Sequence, residues 1–345
     1  MEYNLLPGTQ IKVSKICLGT MTWGRQNSEQ QGHDQMDYAH EQGINFFDTA
    51  ELYPIPPRQE EQGDTERFIG TWFKKSGLRD MIILASKIAG PAAFTQHIRT
   101  DKSYTKETID TAVEKSLKRL QTDYIDLYQL HWPERPTNYF GKRGYDYKRG
   151  EVWEENFEEV LDALNTHVKK RNIRYIGLSN ETPWGTMGFL RASNSDRPRV
   201  RTIQNPYSLL NRTFEVGNAE VCHREEVGLL AYSPLAFGVL SGKYRGGKQP
   251  NKARLTLFPH YDRYISDPCK NAVEMYHDLA QKNDLTLTQL ALAFVNDRSF
   301  MTSNIIGATD LDQLKENIGT ASISLSDEIL EEINSIHEAI PNPST

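Results

Sequence analysis

The feature that most limits how this chain can fold is a recurrence: eight short apolar runs of strand length, separated by segments of helical period. The first four are Ile16-Cys17-Leu18-Gly19-Thr20, Ile44-Asn45-Phe46-Phe47, Met81-Ile82-Ile83-Leu84-Ala85 and Tyr124-Ile125-Asp126-Leu127-Tyr128; the others lie at 173–178, 200–203, 227–231 and 304–307. Runs this short and apolar suit strands buried on both faces of a parallel sheet. Between them, Ser28 opens and Gly43 closes a helix with Met36, Ala39 and His40 on one face. A second helix over 64–76 stops at Gly77, and a third, from Thr105, carries Ile109, Val113, Leu117 and Leu120 in one stripe. Further helices are expected near 155–170, 183–193, 215–223, 268–282 and 286–297, the last with a Thr286/Gln289 capping box.

Eight strands alternating with helices favour an α/β fold closed as a (β/α)8 TIM barrel over an open doubly wound sheet, and no GxGxxG turn supports the latter. Residues 2–14 read as a short N-terminal β-hairpin outside the barrel, Tyr3 to Leu6 and Ile11 to Val13, turning at Pro7-Gly8. With no linker or low-complexity stretch, 1–345 is expected to be a single domain. The long connections, 53–64, 88–104, 131–152 and 236–267, all follow strands, which crowds them onto the face where a barrel keeps its active site.

Composition excludes several classes. A net charge of −6, with 25% charged and 38% hydrophobic residues, disfavours nucleic acid and anionic membrane as global partners. No apolar run approaches the roughly 18 residues of a membrane span, and Met1-Glu2-Tyr3-Asn4 lacks the basic and apolar regions expected of a signal peptide. Cys17, Cys222 and Cys269 lie far apart with no CxxC pair, which fits a reducing cytoplasm and gives no metal site. In that compartment the sequons at Asn180 and Asn211 carry no meaning.

Where the runs end, the chemistry begins. Asp48 follows Phe47, with Tyr53 five residues beyond; Lys87 ends the run at 81 and His131 the run at 124. A lone aspartate at a strand end would be read as satisfying backbone donors, but parallel strands bring all their carboxyl ends to one face, where these four groups would converge. A tyrosine with an ordinary pKa near 10 is a poor acid or base at neutral pH. Lys87 beside it would lower that pKa, Asp48 would hold the lysine charged, and His131 would donate a hydrogen bond to a substrate oxygen. Such a set suits protonation of a carbonyl oxygen while a hydride reaches its carbon, which calls for a redox cofactor.

These residues resemble a known family. Gly19-Thr20-Met21, Asp48 to Tyr53, Ser86-Lys87, Leu130-His131-Trp132-Pro133, Gly177-Leu178-Ser179-Asn180, Gln204-Asn205-Pro206-Tyr207, Tyr232-Ser233-Pro234-Leu235 and Gly307-Ala308-Thr309 are similar, in order, to the aldo-keto reductases, most of all to their bacterial Tas-type branch. The resemblance implies an NADP(H)-dependent oxidoreductase reducing aldehydes or ketones. Tyr53 would be its proton donor, Asp48 and Lys87 would tune Tyr53, and His131 would orient the carbonyl. Ser179, Asn180 and Gln204 would hold the nicotinamide carboxamide, with Tyr232 stacked on the ring. Read alone, Tyr232 is better explained as a core aromatic. Gly19, Thr20, Met21, Ser233, Leu235, Gly238, Lys243 and Gly307 complete the cofactor set. Arg254 would reach the 2′-phosphate, and Thr309, Gln313, Glu316 and Asn317 would form the adenosine site at a helix amino terminus able to favour a phosphate.

The segment 242–254 holds five basic residues and no acid, which by itself describes a solvated loop equally well. Gly238 to Lys243 superficially resembles a P-loop, but its glycine spacing is one short and Tyr244 replaces the Ser/Thr. For the substrate pocket, Trp23 and Trp132 are expected on the active face, with Phe94, Tyr139, Phe140, Tyr145 and Tyr147; His97, Arg99, Arg135 and Arg143 leave room for an anionic substrate group. The same fold also serves as NADP(H)-binding regulatory or redox-sensing subunits of membrane channels. His131 discriminates, because that branch has another residue there. A lyase or metal hydrolase would need a metal cluster or phosphate loop that the sequence lacks.

Overall fold

Two residues along a strand point to the same side, so each barrel strand carries one set of side chains inward and the other out toward the helices. The computed structural model, which describes residues 1–101, 103–142, 144–146 and 152–344, resolves that alternation strand by strand. A hairpin of β1 (Tyr3–Leu5) and β2 (Lys12–Ser14) precedes β3 (Ile16–Gly19), β4 (Phe46–Asp48), β5 (Ile83–Ile88), β6 (Ile125–Leu130), β7 (Ile173–Ser179), β8 (Val200–Pro206), β9 (Gly228–Tyr232) and β10 (Met301–Ile306). Among the described residues, β3 to β10 form a closed parallel barrel in sequence order, β10 pairing with β3, while β1 and β2 pair antiparallel outside it.

The inward set is apolar at the bottom. Cys17, Phe46, Ala85, Leu127, Leu230 and Ile305 pack together there, and Val13 of the hairpin plugs the amino-terminal end. The outward residues Leu18, Phe47, Leu84, Tyr128, Ile176, Ile203 and Leu229 belong to the larger core under the helices. Removing the fully buried Phe46 ring would cost roughly 3–5 kcal/mol.

Local sequence sets most helix ends. Ser28 and Thr286 make the capping boxes of helices Glu29–Glu41 and Leu287–Asn296, and Gly77 ends Asp64–Ser76 in the left-handed region at φ 71°. Several elements differ from expectation, among them the last strand, which begins at Met301 rather than Asn304. The run at 81 begins as a 3-10 turn, Arg79–Met81, because Arg79 bonds the Ile82 and Tyr124 carbonyls there. The segment near 215–223 is a 3-10 turn, Thr213–Val216, then a helix, Asn218–Glu225, broken at Gly217. A final helix, Asp327–Ala339, has no strand after it and no place in the alternation; it packs on Asp267–Lys282, with Lys282 Nζ 2.7 Å from Glu332 Oε1. No helix of the described residues is long and apolar enough to cross a membrane.

Candidate active site

Going up the barrel interior by two residues on each strand turns apolar into polar. Asp48 lies above Phe46, Lys87 above Ala85, Gln129 above Leu127 and Tyr232 above Leu230. Lys87 Nζ, fully buried, donates to Asp48 Oδ2 at 2.6 Å and to the Thr49 carbonyl at 2.7 Å, and lies 3.5 Å from Tyr53 Oη. Asp48 Oδ1 accepts from Gln204 Nε2 at 2.8 Å and Gln129 Nε2 at 3.4 Å. Burying an isolated ammonium would be prohibitive; the aspartate and carbonyl make it tolerable and aim it at the phenol. Gln129 was missed in the sequence, although it stands two residues before His131 on the same strand.

Electrostatics divide the roles. Burial alone would lower the Lys87 pKa, but Asp48 and then Tyr53 raise it, so the ammonium persists. Burial raises the Tyr53 pKa and outweighs the opposing pull of Lys87. Lys87 therefore lowers the phenol's pKa as expected, but burial, which the sequence does not show, outweighs it and favours the protonated phenol. Burial, followed by repulsion from Lys87, holds His131 well below the usual imidazole range, so it is neutral. Its ring meets the Tyr53 ring edge-on at 5.8 Å, and its buried Nδ1 has no protein partner.

Beside this set, Asn180 Nδ2 donates to the His131 carbonyl at 2.9 Å, Tyr232 Oη to Asn180 Oδ1 at 2.6 Å, and Ser179 Oγ to the Gln204 carbonyl at 2.8 Å. Asn180, Ser233, Ala236 and Phe237 all take positive φ, from 49° to 57°. Non-glycine residues in that region collect at functional sites, and of these four Asn180, Ser233 and Phe237 line the cleft.

The barrel mouth opens into a cleft of about 1250 Å³. Asp48, Tyr53 and His131 line it with Lys87 directly behind, and so does every residue expected to contact a cofactor: Gly19, Thr20, Met21, Ser179, Asn180, Gln204, Tyr232, Ser233, Leu235, Gly238, Lys243, Arg254, Gly307, Thr309, Gln313, Glu316 and Asn317. The chain from 236 to 263 forms one wall. There Arg254 lies over the Phe237 ring at 4.1 Å, its Nη1 3.9 Å from Met21 Sδ, and its buried Nε has no hydrogen-bond partner. Burial lowers the pKa of Arg254, and burial lowers that of Lys243 despite Asp310. Half-buried cations facing an open cleft, one with an orphaned donor, fit an anionic ligand such as a dinucleotide's phosphates. The helix amino terminus expected to favour a phosphate is already occupied: Asp310 caps Leu311–Gly319 by accepting from Gln313 N at 2.9 Å. Sequence reading also missed Tyr261, Arg263 and Ser344, which reach the cleft only through long-range folding.

Some expected residues stand elsewhere. The Trp23 indole is fully buried under Glu29–Glu41, donating to Gln35 Oε1 at 3.2 Å, and does not line the cleft. Trp132 is also fully buried, one layer behind the wall. Arg99 forks onto Glu51 at 2.6 and 2.9 Å, and Arg135 onto Glu181, so neither is available to a substrate anion. His97 and Tyr145 do not line the cleft, and Arg143 and Tyr147 lie outside the described residues.

A closed parallel barrel whose carboxyl-terminal face gathers a buried Asp–Lys–Tyr set and a neutral histidine defines the class, and the comparisons agree. The profile described as Aldo/keto reductase family matches residues 15–338, and the chain belongs to that family. Protein tas of Escherichia coli (strain K12) is 49% identical over 100% of both chains. Uncharacterized oxidoreductase YrpG of Bacillus subtilis (strain 168) is 33% identical over 97% of this chain and 96% of its own. Norsolorinic acid reductase A of Aspergillus parasiticus is 27% identical over 96% of this chain and 79% of its own.

Proposed function

We propose that this oxidoreductase reduces aldehydes or ketones to alcohols with NADPH, and that Tyr53 Oη gives the proton. The observation that carries the reading is the placement of the Tyr53 hydroxyl 3.5 Å from the buried Lys87 ammonium, at the floor of a cleft that Lys243 and Arg254 also line. NADPH, when bound, supplies the hydride. Everything else falls to the chain. His131 stays neutral and directs a ring nitrogen at the carbonyl oxygen. Tyr53 holds the proton until that oxygen becomes basic, and Lys87, fixed by Asp48, stabilises the phenolate left behind. Arg254 and Lys243 favour the additional phosphate of NADPH over NADH. The buried, free Cys17 and Cys222 suit a reducing cytoplasm.

The test is NADPH oxidation across aromatic aldehydes, dicarbonyls, ketones and sugar aldehydes, with wild type and Tyr53→Phe side by side. Turnover that Tyr53→Phe abolishes while NADPH still binds supports the reading. Tight NADPH binding without turnover on any class would replace it with a redox-sensing or partner-binding subunit.

A further inference from the structure

The reading above leaves one wall of the cleft unused. Outward of Tyr53 and His131, the loops after β4, β5 and β6 contribute Ile55, Pro56, Phe94 and Phe140. None of the described residues that these loops send into the cleft beyond Asp48 carries a carboxylate, ammonium or guanidinium. The two phenylalanines are 46% and 36% exposed. Both rest on Trp132, with ring centroids 5.6 and 5.5 Å away, and Trp132 in turn packs on His131 at 4.9 Å.

That floor is fixed by hydrogen bonds. Trp132 Nε1 donates to the Pro91 carbonyl at 3.2 Å, and its own carbonyl accepts from Tyr104 Oη at 2.7 Å. Gly90 admits the indole, since a Cβ there would come within 2.6 Å of Nε1. Phe140 is held in the left-handed region at φ 53°, which is unfavourable for a residue with a Cβ. Tyr139 meets its ring edge-on at 5.2 Å. Strain retained by a bulky residue that still faces solvent points to a ligand contact. Among the described residues of these loops, Arg99 is neutralised by Glu51 and Arg135 by Glu181, and Lys142 lies over the Tyr139 ring at 5.6 Å and does not line the cleft.

We propose that Phe94 and Phe140 form an aromatic wall that determines substrate specificity, selecting an uncharged carbonyl compound whose body is a flat aromatic ring. The inference rests on the carbonyl-reductase reading for its chemistry. Each ring contact is worth about 0.5–1.5 kcal/mol beyond simple burial, up to about a tenfold effect on kcat/KM. The wall lies beyond His131 from the Asp48–Lys87 pair, so its removal lowers affinity and leaves proton transfer alone.

The experiment compares benzaldehyde, cyclohexanecarbaldehyde and 4-carboxybenzaldehyde with NADPH, in wild type, Phe94→Ala and Phe140→Ala. In parallel, calorimetry with the NADPH-loaded protein measures binding of benzyl alcohol and cyclohexylmethanol. Benzaldehyde should lead the wild-type series. Each variant should lose about tenfold in kcat/KM for benzaldehyde, mostly through KM, and about twofold or less for cyclohexanecarbaldehyde. NADPH affinity and melting temperature should not change, which separates the effect from misfolding. A preference for the carboxylated aldehyde, or equal losses on flat and puckered substrates, overturns the wall. Benzyl alcohol binding that depends on Phe94 and Phe140 without any turnover would overturn the reductase reading and leave the wall standing.

Discussion

The Tyr53 hydroxyl stands 3.5 Å from Lys87 Nζ, and the ammonium is pinned on its far side by Asp48 at 2.6 Å and the Thr49 carbonyl at 2.7 Å. The lysine cannot swing away, so charge appearing on the phenol is met by a cation already in place.

Burial keeps the Tyr53 proton on despite Lys87, with a pKa above the ordinary 10.0. Reduction rates should therefore be flat from pH 6 to 8, while alcohol oxidation, which needs the phenolate, should climb toward and beyond pH 10. Because the folded value is raised, the contribution to stability is complete below the unfolded value near 10 and disappears as pH rises through the folded one. Tyr53→Phe should remove that alkaline loss in denaturation series. An oxidation rate indifferent to pH would remove Tyr53 from the base role.

His131 titrates the other way. Its folded pKa lies well below 6.5, from burial and then Lys87, so the neutral ring's contribution is present above 6.5 and lost as pH falls through the folded value. His131→Gln should lose less stability than wild type between pH 7 and 5, measured by urea midpoints. Equal slopes would mean that the imidazole is already solvated.

Lys87→Met strands the Asp48 carboxylate in the barrel and should destabilise the fold by about 3–5 kcal/mol, as well as removing turnover. Adding Asp48→Asn should recover part of that loss, because the charge left without a partner is gone. Additive losses in the double variant would show that the pair does not act as a unit.

Arg254 has an orphaned donor and no carboxylate partner among the described residues. Arg254→Gln should weaken NADPH binding by about 10- to 100-fold, the range of a lost charged hydrogen bond of about 1.5–3 kcal/mol, and NADH binding far less. Fluorescence titration of both nucleotides decides it. Equal weakening would place Arg254 at the shared pyrophosphate.

The barrel was legible because its strands are short, apolar and separated by helices with explicit caps, and because parallel strands put every carboxyl end on one face. Asp48, Tyr53, Lys87 and His131 could be read as one site for the same reason, each lying at or just beyond a strand end. The final helix, Asp327–Ala339, escaped because alternation assigns no strand to follow it.

What the sequence determined by itself, then, was which side chains share a face, since periods of 2 and 3.6 are local properties of the backbone. What only the tertiary structure decided was which of those groups are free to act. Arg99, Arg135 and Trp23 carry the same chemistry in the sequence as residues that bind ligands. Glu51, Glu181 and Gln35 tie them down from 48, 46 and 12 residues away. The protonation of Tyr53 was decided in the same way: a neighbouring lysine predicts a lowered pKa, and burial, a property of the whole fold, reverses the sign.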